Sequence, residues 1–65
     1  MATVTNLKYG STGDEVKKLQ EALGFTGKDV DGIFGNKTQQ AVIDYQKKNG
    51  LTADGIAGKN TQGKL

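Results

Sequence analysis

Asp31 and Asp54 head matching blocks, Asp31-Gly32-Ile33 and Asp54-Gly55-Ile56, and a carboxylate used twice is the feature of this chain best suited to chemistry. Two carboxylates facing one cleft can run a hydrolase if burial raises the pKa of one of them. An Asp-Gly turn offers a plainer role, in which the side chain bonds amides of its own turn and the glycine takes a positive φ. The rest of the composition supports the plainer role. The chain has no histidine and no cysteine, so the commonest general base and the commonest zinc ligand are both missing. Ser11, the only serine, has no imidazole to activate it. Catalysis is therefore not expected, and no cofactor or metal is expected.

Two binding chemistries also fail on spacing. Asp29-x-Asp31-Gly32 looks like the start of a calcium loop. With Gly32 or Gly55 in the invariant glycine position, Thr38 or Thr61 falls where a bidentate glutamate is required. Gly32-x-x-Gly35 ahead of a helix could cradle a phosphate, but no long strand precedes it and no Gly-Lys-Ser/Thr follows. All nine basic residues are lysine, scattered among seven acidic ones for a net charge of +2. That pattern reads as a solvated surface, so no nucleic-acid partner is expected. No apolar run approaches the roughly 20 residues that span a bilayer, so no membrane partner is expected. Residues Met1 to Leu7 lack a basic region followed by an apolar stretch, so no signal peptide is expected in them.

The elements that must carry these turns are short helices. The 65 residues, 34% hydrophobic and 25% charged, fit one folded domain. Residues 1–6 read as an extended lead-in and 7–65 as the domain. Leu7 and Tyr9 alternate around Lys8 and are expected to lie over the core. Thr12-Gly13-Asp14-Glu15 has capping-box spacing, with Thr12 as N-cap. Val16, Leu19 and Leu23 follow on one helical face, and Gly24 stops the helix. Ile33 and Phe34 are expected to plug the core. Asn36 opens a second helix, with Gln39 in capping-box position. Ala41, Val42 and Tyr45 form its inner face, and Gly50 ends it. Thr61 and Leu65 mark a short last helix. Gly63 costs it about 1 kcal/mol relative to alanine. The expected fold is all-α, a small three-helix bundle with helices near 13–24, 36–49 and 59–64.

The block is an internal repeat. Set twenty-three residues apart, Asp31, Gly32, Ile33, Gly35, Thr38 and Gln39 coincide with Asp54, Gly55, Ile56, Gly58, Thr61 and Gln62. A fainter copy aligns Gly13 with Gly35, Val16 with Thr38 and Leu19 with Ala41. Each unit is a glycine-bounded loop feeding a helix, and three such units can bury one another's faces.

The ordered set of motifs resembles the peptidoglycan-binding domain family, the three-helix modules attached to cell-wall hydrolases. Leu7-Lys8-Tyr9-Gly10-Ser11-x-Gly13 and Val16-x-x-Leu19-Gln20-x-x-Leu23-Gly24 match its opening. Asp31-Gly32-Ile33-Phe34-Gly35-x-x-Thr38-x-x-Ala41-Val42-x-x-Tyr45-Gln46 matches its middle block. Gly50-Leu51-x-x-Asp54-Gly55-x-x-Gly58-x-x-Thr61 matches its close. The family often has Phe at the place of Tyr45 and Trp at the place of Gln62, so the last helix is expected to pack less well. The resemblance implies a non-catalytic, monomeric module that binds peptidoglycan, by glycan strand or stem peptide, and works in the cell wall or outside the cell. Amidases, endopeptidases, phage endolysins and spore cortex hydrolases are its usual hosts. The other reading is a structural or protein-interaction module of the same fold. For a wall ligand, the candidate binding residues are the polar groups at the start of the second helix: Asp31, Asn36, Lys37, Thr38 and Gln39, joined by Tyr9 and Ser11 from the lead-in. Phe34, Tyr45 and Gln46 are expected to serve the core and its edge.

Overall fold

A computed structural model describes residues 5–65; most of the expected 1–6 lead-in, residues 1–4, lies outside the described residues. Three helices follow in order: α1 (Asp14–Ala22), α2 (Asn36–Lys48) and α3 (Lys59–Lys64). A single 3-10 turn, Gly27–Asp29, sits in the loop between α1 and α2. Among the described residues there is no strand, only two isolated antiparallel bridges, Leu7 with Ala57 and Thr12 with Ile33. The all-α three-helix architecture expected from the repeats is the one observed.

The two longer helices end in the same way. Gly24 (φ 96°) and Gly50 (φ 69°) follow them in the left-handed region. The Phe25 amide donates to the Gln20 carbonyl at 2.9 Å and the Gly24 amide to Glu21 at 3.0 Å. Leu51 donates to Gln46 at 2.8 Å and Gly50 to Lys47 at 3.3 Å. These are Schellman terminations, and a glycine meets their positive φ without steric cost.

The helix starts differ from expectation. Gly13, Gly35 and Gly58 are the N-cap residues, and none of the three helices has a side-chain cap bond. Thr12 is held instead in its bridge with Ile33. Asn36 is already the first helical residue, one position too far in for its amide to act as the N-cap acceptor. Loop-to-loop bonds replace the capping boxes at α1, where the Gly13 amide donates to the Gly32 carbonyl at 2.9 Å.

The core is small: Leu7, Val16, Leu19, Phe34, Val42 and Ala57, with Leu23 packed against it. Each fully buried Val, Leu or Phe contributes about 1.5–3 kcal/mol. Segment 7–13 straps the core across its open side. Leu7 and Ala57 exchange backbone bonds of 3.1 and 2.7 Å; Gly10 donates to Phe34 and Phe34 to Ser11, each at 2.9 Å. Leu7 is buried as expected, but Tyr9 is 58% exposed. The cause is a turn: the Ser11 amide donates to the Lys8 carbonyl at 2.8 Å, with Gly10 at φ 95°. The chain reverses there, so strand-like alternation stops after Lys8.

Ile33 also departs from expectation, being 56% exposed, and Ile56 is 39% exposed. In each copy the Asp carboxylate caps the Ile amide, at 2.9 Å for Asp31 and 3.0 Å for Asp54. That local turn faces the isoleucine outward and sends the following residue, Phe34 or Ala57, into the core.

Candidate functional site

The repeated block is built around two buried glutamines. Gln20 and Gln46 stand at the same station, four residues before the glycine that ends their helix. Each backbone carbonyl accepts the Schellman bond, while each side chain reaches into the following Asp-Gly-Ile turn.

Gln20 Nε2 donates to Asp31 Oδ1 at 2.9 Å, to the Ile33 carbonyl at 3.1 Å and to Thr38 Oγ1 at 3.0 Å. Its Oε1 accepts the Gly32 amide at 3.0 Å. Gln46 repeats the set with Asp54 at 3.1 Å, Ile56 at 3.0 Å and Thr61 at 3.0 Å, and its Oε1 accepts the Gly55 amide at 3.0 Å. Each amide thus ties one helix end to the next turn and to the first turn of the next helix. Among the described residues no buried side-chain nitrogen or oxygen lacks a partner. In α1 the station of Thr38 and Thr61 is Val16, which is buried and apolar.

The glycines of these turns are packed over. A Cβ on Gly32 (φ 74°) would lie 3.2 Å from Lys17 Cε and 3.3 Å from the Gly13 carbonyl; one on Gly55 (φ 76°) would lie 3.2 Å from Gln39 Cγ.

Both carboxylates are held ionised. The Gln20 amide and then the Ile33 amide put Asp31 below its ordinary value of 3.8. The Ile56 amide and then Gln46 do the same for Asp54. A general acid needs the opposite displacement. Among the described residues no three carboxylates gather as a metal cluster would require.

The residues expected to bind are spread out. Asp31 is exposed, but one of its oxygens is committed to the turn. Thr38 is buried, and its hydroxyl accepts from Gln20. Lys37 Nζ pairs with Asp29 at 2.8 Å and lies 5.7 Å over the Phe25 ring. Asn36 is exposed beside it. Gln39 turns to the other copy and covers Gly55. Ser11 accepts the Lys8 amide at 3.1 Å, and Tyr9 projects from the strap. Asp31, Lys37 and Thr38 therefore share one neighbourhood with Asn36, while Gln39, Ser11 and Tyr9 serve other parts.

A cleft of about 460 Å³ opens at the second copy, over the Gln46–Asp54–Thr61 cluster. Asn6, Thr52, Lys59 and Asn60 border it. Gln46 was expected at the edge of the core and is buried, but the matching role of Gln20, the bonds of both glutamines and this cleft were not read from the sequence. The signal for the glutamines was present: Gln20 through Gly24 and Gln46 through Gly50 share one spacing.

Residues 12–65 match a protein-family model described as "Putative peptidoglycan binding domain". The chain belongs to the peptidoglycan-binding domain family. Two solved structures share the fold. The N-terminal domain of SleB superposes with a TM-score of 0.83 at 41% identity, covering 95% of this chain and 89% of that one. A fused Zn-dependent amidase/peptidase with a peptidoglycan-binding domain, from Clostridium acetobutylicum, superposes with a TM-score of 0.82 at 33% identity, covering 94% of this chain and 28% of that one. A spore cortex-lytic enzyme of Halalkalibacterium halodurans is 42% identical over 91% of this chain. The N-acetylmuramoyl-L-alanine amidase CwlL of Bacillus licheniformis is 42% identical over 94% of it. The chain spans only 19% and 18% of these two proteins, so it corresponds to one domain of each.

Proposed function

We propose that this chain is a non-catalytic peptidoglycan-binding module that holds an attached cell-wall hydrolase on its substrate. One observation carries the reading: family membership over nearly the whole chain, in relatives named as cortex-lytic enzymes and amidases of which it is about a fifth. Chemistry supports the non-catalytic part. Histidine and cysteine are missing, and the repeated carboxylates are tied into turns that lower their pKa. The module acts as a monomer in the wall or outside the cell.

The test is co-sedimentation of the isolated domain with purified, insoluble peptidoglycan, read against a turbidity assay on the same material. The domain pellets and the suspension stays turbid. Clearing of the suspension by the domain alone would overturn the non-catalytic part, and failure to pellet with several wall types would overturn the binding part.

A further inference from the structure

The two glutamine clusters match, but their surroundings do not. Gln20 and Asp31 are 11 residues apart, whereas Gln46 and Asp54 are 8 apart. The longer first loop carries Asp29, which draws Lys37 across Phe25. In the second copy Leu51 takes the station of Phe25 and Asn60 that of Lys37. The shorter loop has no counterpart of Asp29, so no lysine is drawn over the turn, and the cleft lies there.

We infer that this second-copy cleft is a subsite for a short peptide bearing both an amino group and a carboxylate, as a peptidoglycan stem peptide does, and not for the glycan strand. The inference rests on the peptidoglycan-binding reading and deepens it. Asp54 commits Oδ1 to Gln46 and to the Ile56 amide. Its other oxygen takes no bond from the described residues and remains an acceptor for an ammonium group. Lys59 borders the same cleft, and among the described residues the one ion pair is Lys37 with Asp29. An anion held in its turn and an exposed lysine therefore border one cleft without pairing with each other. Opposite charges so placed recognise a zwitterion and orient it. The side chains of Asn6, Thr52 and Asn60 add neutral donors and acceptors at the rim. Among the described residues no aromatic residue borders the cleft; its large apolar lining is Leu51 and Ile56, aliphatic side chains without the flat face on which a sugar ring stacks.

The experiment is an amide-resolved NMR titration of the full chain with two probes. One is a synthetic tetrapeptide with a free amino group and a free carboxylate; the other is an N-acetylglucosamine oligomer. The peptide should move the amides of Thr52, Asp54, Lys59 and Asn60, and the sugar should not. Lys59→Glu should weaken peptide binding about tenfold or more, because it meets a carboxylate with a like charge. Lys28→Ala, in the first loop and outside every candidate binding set, should bind as the parent does. Both lysines are exposed, and unchanged helical circular dichroism verifies folding of each variant. Shifts in the cleft caused by the sugar, or peptide shifts confined to the first copy, overturn the inference. Co-sedimentation separates the two levels. If the parent and Lys59→Glu pellet equally with whole peptidoglycan, the cleft assignment falls and wall binding stands. If the parent does not pellet, both fall.

Discussion

Replacing Gln20 by methionine keeps the length and nearly the volume of the side chain while removing all four of its amide hydrogen bonds. The Gly32 amide, buried and bonded to Gln20 Oε1 at 3.0 Å, is then left without its acceptor. An orphaned buried donor costs about 1–3 kcal/mol. The Thr38 hydroxyl, also buried, loses its 3.0 Å donor, at about 1 kcal/mol. Asp31 and Ile33 are exposed and turn to water, so their bonds are discounted. The sum is about 2–4 kcal/mol. A 65-residue domain holds only about 3–10 kcal/mol in total. Each kcal/mol moves the melting temperature of so small a domain by about 4–8 °C, so the midpoint should fall by roughly 8–32 °C. Thermal unfolding followed by circular dichroism reads this directly. Gln46→Met should lose a similar amount, since its four bonds repeat those of Gln20. A loss below about 1 kcal/mol for both variants would refute the claim that the glutamines tie the repeats together.

Acid should weaken the fold through the two Asp turns. Their pKa values are lower folded than unfolded, so their contribution is fully present above the unfolded value near 3.8 and is lost as pH falls through the lowered folded values. Urea midpoints should be level from neutral pH to about pH 5 and then drop, with a shallower drop in Asp54→Asn; a parent curve level down to pH 2 would contradict this. Gly32→Ala should destabilise more than Gly55→Ala. Both place alanine at positive φ, about 1 kcal/mol, but only Gly32 also faces a backbone oxygen, Gly13 at 3.3 Å; equal urea midpoints would remove that distinction. Lys37→Ala should change stability by less than about 1 kcal/mol, because its ion pair with Asp29 is exposed to solvent; a larger change in thermal unfolding would show that the Phe25 contact matters more than its geometry suggests.

Helical periodicity and stop glycines located α1 and α2, because Val16 and Leu19 share one face of α1, Val42 lies on the inner face of α2, and Gly24 and Gly50 follow their last turns, while α3 was marked by Thr61 and Leu65. The starts were less legible. Thr12 and Asn36 have the right residue types for caps, but bonds between distant loops decided their places. The same holds for Ile33, whose exposure follows from the Asp31 turn and not from its own hydropathy. Gln20 was hidden because a glutamine on a helix reads as surface, and for Gln46 the core edge was expected but not its bonds; here each amide finds four partners on elements 8–18 residues away. Gln62, expected to leave α3 loosely packed, is half-buried and donates to the Thr5 and Ala57 carbonyls at 2.8 and 2.7 Å, fastening the lead-in to α3. The candidate site was legible as a repeated turn. The different loop lengths, 11 residues from Gln20 to Asp31 and 8 from Gln46 to Asp54, were legible too, but the cleft over the second turn emerges only when the chain is folded.

The most direct measurement is the fraction of the isolated 65-residue chain that pellets with purified peptidoglycan as the wall material is increased. Saturable depletion of the supernatant, with no clearing of the suspension, is the predicted result. A chain that stays in the supernatant at every concentration, with walls of several peptide compositions, would contradict the account.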